Sequence, residues 1–189
     1  MDFKTFNEEC RKTILRMGES YIKEKKNNAA EEVFKTLNKM CLDRNNYDVV
    51  RTLYALATLL HTKQNTKQNT KEKDYDEAEK MYKEALEICK KILHEKHPSV
   101  AHIWHQMAIL LHKKKKHIEA EKMYKKALDA LKSIYGERHS AVANIFNNLA
   151  RLLYKEKRDE AEKMYKKALQ IHHHCEKQAS NSAKRRKIK

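Results

Sequence analysis

Histidine and cysteine are the residues through which this chain could do metal or nucleophilic chemistry. His172, His173 and His174 run directly into Cys175, His102 and His105 stand one helical turn apart with His112 beyond them, and Cys10, Cys41, Cys89 and Cys175 are widely separated. Adjacent side chains on a helix point in different directions and no second ligand pair stands at zinc spacing, so the histidine run reads as a helix end and not as a metal site. No H-E-x-x-H or carboxylate partner accompanies His102 and His105, and the cysteines form no C-x-x-C pair. There is no G-x-S-x-G and no phosphate-cradling loop, and two glycines in the whole chain could hardly build either. The expectation is a chain with no catalytic residue, no cofactor and no metal, its thiols reduced in a cytosolic or nuclear setting.

Binding chemistry is better represented. Asn144, Asn148, Arg151 and Lys155 recur at helical spacing and share one stripe, with Asn147 beside it. Corresponding stripes are His102, Gln106, Ile109 and Lys113, with His105 beside them; Arg51, Ala55, Thr58 and Thr62; and Lys12, Arg16, Glu19 and Lys23. Seven of these sixteen positions are Lys or Arg and one is acidic, so an acidic ligand is favoured. Asn148 and Gln106 each donate and accept, which suits the backbone of an extended peptide whatever its sequence. A solvated helix face with no ligand would show much the same letters.

The elements that must position these stripes are helices. Two glycines and one proline among 189 residues, with 36% charged residues, leave little of the turn chemistry a β-rich fold needs. AEKMYKKAL occurs at 120–128 and again at 161–169, and AEKMYKEAL at 78–86. Within it Ala120, Met123, Tyr124, Ala127 and Leu128 form one apolar face, while Lys122, Lys125 and Lys126 point elsewhere. A second apolar helix precedes each copy, as in HPSVAHIWHQMAILLH at 97–112 with Pro98 in its first turn. Each unit is thus a helix pair, and recurrence at roughly 40 residues marks a stacked array.

Trp104, Met107, Ala108 and Leu111 before Ala120 and Tyr124, and Phe146, Leu149, Ala150 and Leu153 before Ala161 and Tyr165, fit the tetratricopeptide template. Leu53, Leu56, Ala57 and Leu60 fit before Ala78 and Tyr82 if TKQNTKQNT at 62–70 is an inserted polar loop, and a divergent first unit uses Ile14, Met17, Gly18, Tyr21, Ala30 and Phe34. The prolonged second helices, the turns GERHSAVA at 136–143 and HEKHPSVA at 94–101, NNLA at 147–150 and the EAEKMYKKAL run resemble kinesin light chain repeats, with nephrocystin-type proteins similar. The expectation is an all-α α-solenoid of about four tetratricopeptide-type helix pairs. Residues 1–44 would form the divergent repeat, 45–176 three kinesin-light-chain-like repeats, and 177–189 a basic disordered tail. The resemblance implies an adaptor that binds acidic or extended peptide segments in a concave groove, with a kinesin complex as the associated assembly, although no sustained heptads for a motor-binding coiled coil are present. A co-chaperone type of clamp is disfavoured, because the first unit offers Leu15 and Glu19 where that clamp needs Lys and Asn.

Charge supplies a second reading. The formal balance is +16, and residues 177–189 hold six basic groups and no acid. Lys184, Arg185, Arg186 and Lys187 match a short nuclear-import signal, and a solubilising tail gives the same letters. This frames the alternative, a nuclear or nucleic-acid-associated basic scaffold of the same fold, with nucleic acid held only non-specifically because the aromatics fall on core-facing positions. The opening residues lack the apolar run of a signal peptide and no stretch is long enough to insert in a bilayer, so the expected setting is cytoplasmic, or nuclear through the basic tail, and the resemblance to kinesin light chains implies association with the cytoskeleton.

Overall fold

The computed structural model describes residues 3–40, 47–62 and 68–186. Every element among the described residues is a helix, arranged as two compact units that part between Glu95 and Lys96. The first unit holds α1 (Phe3–Lys23), α2 (Asn27–Met40), α3 (Tyr47–Thr62) and α4 (Gln68–Leu93). The second holds α5 (Pro98–Lys113), α6 (His117–Tyr135), α7 (Ser140–Leu153) and α8 (Arg158–Arg186). Within each unit consecutive helices pack as pairs, α1 with α2, α3 with α4, α5 with α6 and α7 with α8, and α2 meets α3 as α6 meets α7.

Small residues opposite aromatic ones set the approach within each pair. Ala57, Ala108 and Ala150 are fully buried on the first helices, as are Phe34, Tyr82 and Tyr124 on the second. At the same position in α1 even a methyl group does not fit: a Cβ on Gly18 would lie 2.7 Å from Phe34 Cζ. Phe34 therefore fills the space that alanine and tyrosine divide in the later pairs. Trp104, Met107, Leu111, Phe146, Leu149 and Leu153 are buried as the apolar face predicts. Cys89 and Leu131 are both fully buried, so the cysteine is a packing residue, and burial pushes its thiol pKa up and keeps it inert.

The helix ends explain the histidines of the repeat turn. His97 Nδ1 accepts from the backbone N–H of Ser99 at 3.2 Å at the start of α5, with Pro98 next to it, and His139 Nδ1 does the same for Ala141 at the start of α7. Imidazole thus takes the role that serine or aspartate usually plays in satisfying a free helix donor. At the far ends, α1 and α5 both close with Lys26 N–H on Tyr21 O (2.8 Å) and Lys116 N–H on Leu111 O (2.9 Å). These bonds set the preceding residues, Lys25 and Lys115, at φ 59° and 60°, a conformation that usually calls for glycine.

Two boundaries and one side-chain placement differ from the sequence reading. Thr62 is the last residue of α3 and Gln68 already begins α4, so the polar insertion contributes a turn of helix; residues 63–67 and Cys41 lie outside the described residues. α8 continues to Arg186 in place of a disordered tail from Lys177, because nothing between 158 and 186 is glycine or proline and a nucleated helix propagates at little cost. Lys184, Arg185 and Arg186 are therefore in α8, while Lys187 lies outside the described residues. Finally, Leu15 is a core residue, 1% exposed, and not part of a ligand-facing stripe. No helix among the described residues is long and apolar enough to cross a membrane.

Candidate functional site

α5 and α7 carry the polar stripes of the second unit, and the structure joins them at one point. The Asn148 carboxamide donates from Nδ2 to His105 Nε2 at 2.8 Å. Burial first, and the neighbouring His102 second, push the His105 pKa down to about 4, so the ring is neutral and accepts at Nε2 while carrying its proton on Nδ1. The His105 ring rests 6.0 Å from that of Tyr124 on α6, which holds the imidazole against the core. Asn148 is thereby fixed in orientation, with its carbonyl oxygen and second N–H still to be used.

Beside it lies a cavity of about 650 Å³ lined by Asn148, Arg151, Leu152 and Lys155, by Ile109, His112 and Lys113, and by Lys115, His117 and Tyr124. Its charged lining groups are all cationic. Arg151, Lys115 and Lys155 have no ion pair among the described residues. Burial lowers the pKa of Lys113, and burial followed by the nearness of His117 and Arg151 lowers that of His112. The hydroxyl of Tyr124 has no protein hydrogen-bond partner among the described residues, and desolvation raises its pKa, so it stands as a neutral donor.

Several expected members fall elsewhere. Lys155 is not on α7, which ends at Leu153; it sits in the following turn and reaches the same cavity from there. His102, Gln106, Asn144 and Asn147 keep their helix positions but do not line the cavity. Arg51 belongs to the first unit, and its guanidinium is paired with Glu19, with Asp48 3.9 Å away. That pairing removes it as a free attractor for an acidic ligand. His112, Lys115 and His117 complete the cavity and were not in the expected set, because the lysine run between α5 and α6 reads as solvated turn until its φ is known.

In the histidine run at the end of the chain, His174 and the adjacent Cys175 are engaged locally. Gln178 Nε2 donates to His174 Nε2 at 2.9 Å and Cys175 Sγ donates to Arg138 O at 3.3 Å. No group of three or more His, Cys, Asp or Glu converges on a common point among the described residues. A second cavity, about 490 Å³, lies between the end of α6 and α8, where Lys132 and Lys167 place their Nζ atoms 5.4 and 5.8 Å from the Phe146 ring and Glu137 shares the lining.

Comparison with known proteins places this geometry. The tetratricopeptide repeat model matches residues 69–133 and 99–172, more than half of the chain. Among solved structures, BtubC (BKLC) from P. vanneervenii is similar at 25% identity with a TM-score of 0.69, over 86% of this chain and 62% of that one. The chain thus spans less than two thirds of that neighbour's length. A putative kinesin light chain of Podosopora anserina with nearly identical TPR-like repeats shares the fold at 15% identity and a TM-score of 0.66, over 85% of this chain and 74% of its own. MamA does so at 18% identity and 0.58, over 86% and 73%. No curated protein sequence matches. Helix pairs with small residues set against aromatics, α-solenoid neighbours and the matching family model agree, and the chain belongs to the tetratricopeptide repeat family.

Proposed function

We propose that this protein is an adaptor that captures extended, acidic peptide segments on the α5 and α7 stripes of its second unit, in the manner of the cargo-binding repeats of kinesin light chains. Tetratricopeptide repeats are protein-interaction scaffolds. The observation that carries the proposal is Asn148, oriented by a neutral His105 at the edge of a cavity whose charged lining groups are all cations. A carboxamide with unused donor and acceptor suits a peptide group, and Lys113, Arg151 and Lys155 suit acidic side chains beside it. The likeness of the turns and of the EAEKMYKKAL run to kinesin light chain repeats supports a cytoplasmic, cytoskeleton-associated role.

Salt is the first test. Binding of an aspartate-rich synthetic peptide should weaken steadily as ionic strength rises, because the exposed Arg151 and Lys155 are screened over about 10 Å at 0.1 M. An affinity that does not respond to salt would remove the cationic cavity from the account.

A further inference from the structure

The cavity beside Asn148 holds more positive charge than a carboxylate can use. Building on the peptide-adaptor reading, we propose that it is a pocket for a phosphorylated side chain of an extended peptide segment. A carboxylate offers two oxygens and one charge, which the Arg151 fork alone would satisfy. Lys115 and Lys155 would then crowd the same space with no acid among the lining residues to offset them. A phosphate monoester, with three acceptor oxygens and a charge of about −1.5 to −2, matches this surplus.

Two details fit a phosphate better than diffuse attraction. Lys115 is held at the rim by the turn that closes α5, its N–H bound to His112 O at 3.0 Å and its φ at 60°, whereas the next residue, Lys116, sits 3.9 Å from Glu119 outside the cavity. Tyr124 adds a neutral hydroxyl donor with no protein partner among the described residues. The source of the phosphate is a peptide, not a lipid or a free ion, because Asn148 lines the same cavity and its remaining donor and acceptor complement a peptide group.

The test is a calorimetric titration with three synthetic peptides: one phosphoserine flanked by aspartates, and the same peptide with glutamate or serine in its place. The phosphopeptide should bind about tenfold more tightly than the glutamate peptide, since it engages more charge-assisted donors. Lys115→Gln and Tyr124→Phe should each shrink that ratio, with circular dichroism confirming that the helices persist. Inorganic phosphate and phosphoinositide-containing vesicles serve as the other arms and should bind far more weakly. Equal affinity for phosphoserine and glutamate peptides overturns the proposal and leaves the adaptor reading standing. Vesicles or free phosphate binding as tightly as the phosphopeptide overturn it in favour of a lipid or anion site. Failure of all three peptides to bind overturns both.

Discussion

The stripe on α3 and the stripes on α5 and α7 occupy the same repeat positions, yet among the described residues the polar groups of the α3 stripe are engaged with neighbours while several of those in the second unit are not. In the first unit Arg51 is paired with Glu19, and Thr62 donates to Thr58 O at 2.7 Å. Thr58 donates to Tyr54 O at 2.8 Å and lies 2.9 Å from the hydroxyl of Tyr82, which also meets His61 Nδ1 at 3.0 Å. In the second unit Arg151 takes the place of Thr58, the hydroxyl of Tyr124 has no protein partner among the described residues, and Asn148 stands where Ala55 stands in α3. The backbone is repeated, but hydrogen-bond satisfaction is not. A repeat of this kind dictates where a groove-facing side chain sits and leaves its function to whether a neighbour has already used it.

Acid should break the second stripe most severely. The folded pKa of His105, about 4, lies below its unfolded value near 6.5, so the unfolded chain takes up the proton first as pH falls. Its contribution to stability is fully present above about pH 6.5 and is lost as pH drops toward 4, on the order of 2–3 kcal/mol in all. Urea unfolding at about pH 7 and about pH 4.5 measures it. His105→Gln should flatten much of this slope, with His102 and His112, both shifted in the same direction, supplying what remains.

Removing one hydroxyl from each unit sharpens the contrast. Tyr82→Phe strips Thr58 and the buried His61 of a partner and should cost about 1–3 kcal/mol of stability. Tyr124→Phe removes a hydroxyl with no protein partner and should change stability by less than about 0.5 kcal/mol. Equal costs from thermal unfolding would mean that the two tyrosines are satisfied alike and that the comparison fails.

The smallest effect should come from releasing Arg51. Both partners of the Glu19 pair are about two-fifths exposed, so Glu19→Gln should shift stability by no more than about 1 kcal/mol. It should nonetheless add a weak, salt-sensitive attraction for acidic peptides, seen as a modest gain in affinity at low salt.

How far the sequence carried these conclusions varies by element. The helix pairs were legible because Ala108, Tyr124, Ala150 and their counterparts mark a packing face at a period set by the helix itself. Asn148 was legible for the same reason, since its stripe follows from the phase of Phe146 and Leu149. Arg51 was misjudged because its partner Glu19 is distant in sequence and only the packing of α1 near α3 brings them together. Lys115 was invisible because its direction depends on a left-handed turn residue within an unbroken lysine run, where composition gives no phase. The end of α8 escaped because an exposed polar segment has no apolar period to distinguish helix from coil, although it has no residue that would stop a helix either.

Titration of the aspartate-flanked glutamate peptide into the parent chain, into Asn148→Ala and into a Lys122→Gln/Lys125→Gln variant tests the central claim most directly. Asn148→Ala should lose on the order of 1–3 kcal/mol of binding, because peptide groups lose their partner in a partly dry site. Thermal unfolding of the same variant should show the helices intact. The double lysine variant should bind almost as the parent does, since both side chains are exposed on the outer face of α6 and Lys125 is already paired with Glu121 at 2.6 Å. Undiminished binding by Asn148→Ala, with loss in the lysine variant alone, would contradict the account and move the working surface to the basic exterior.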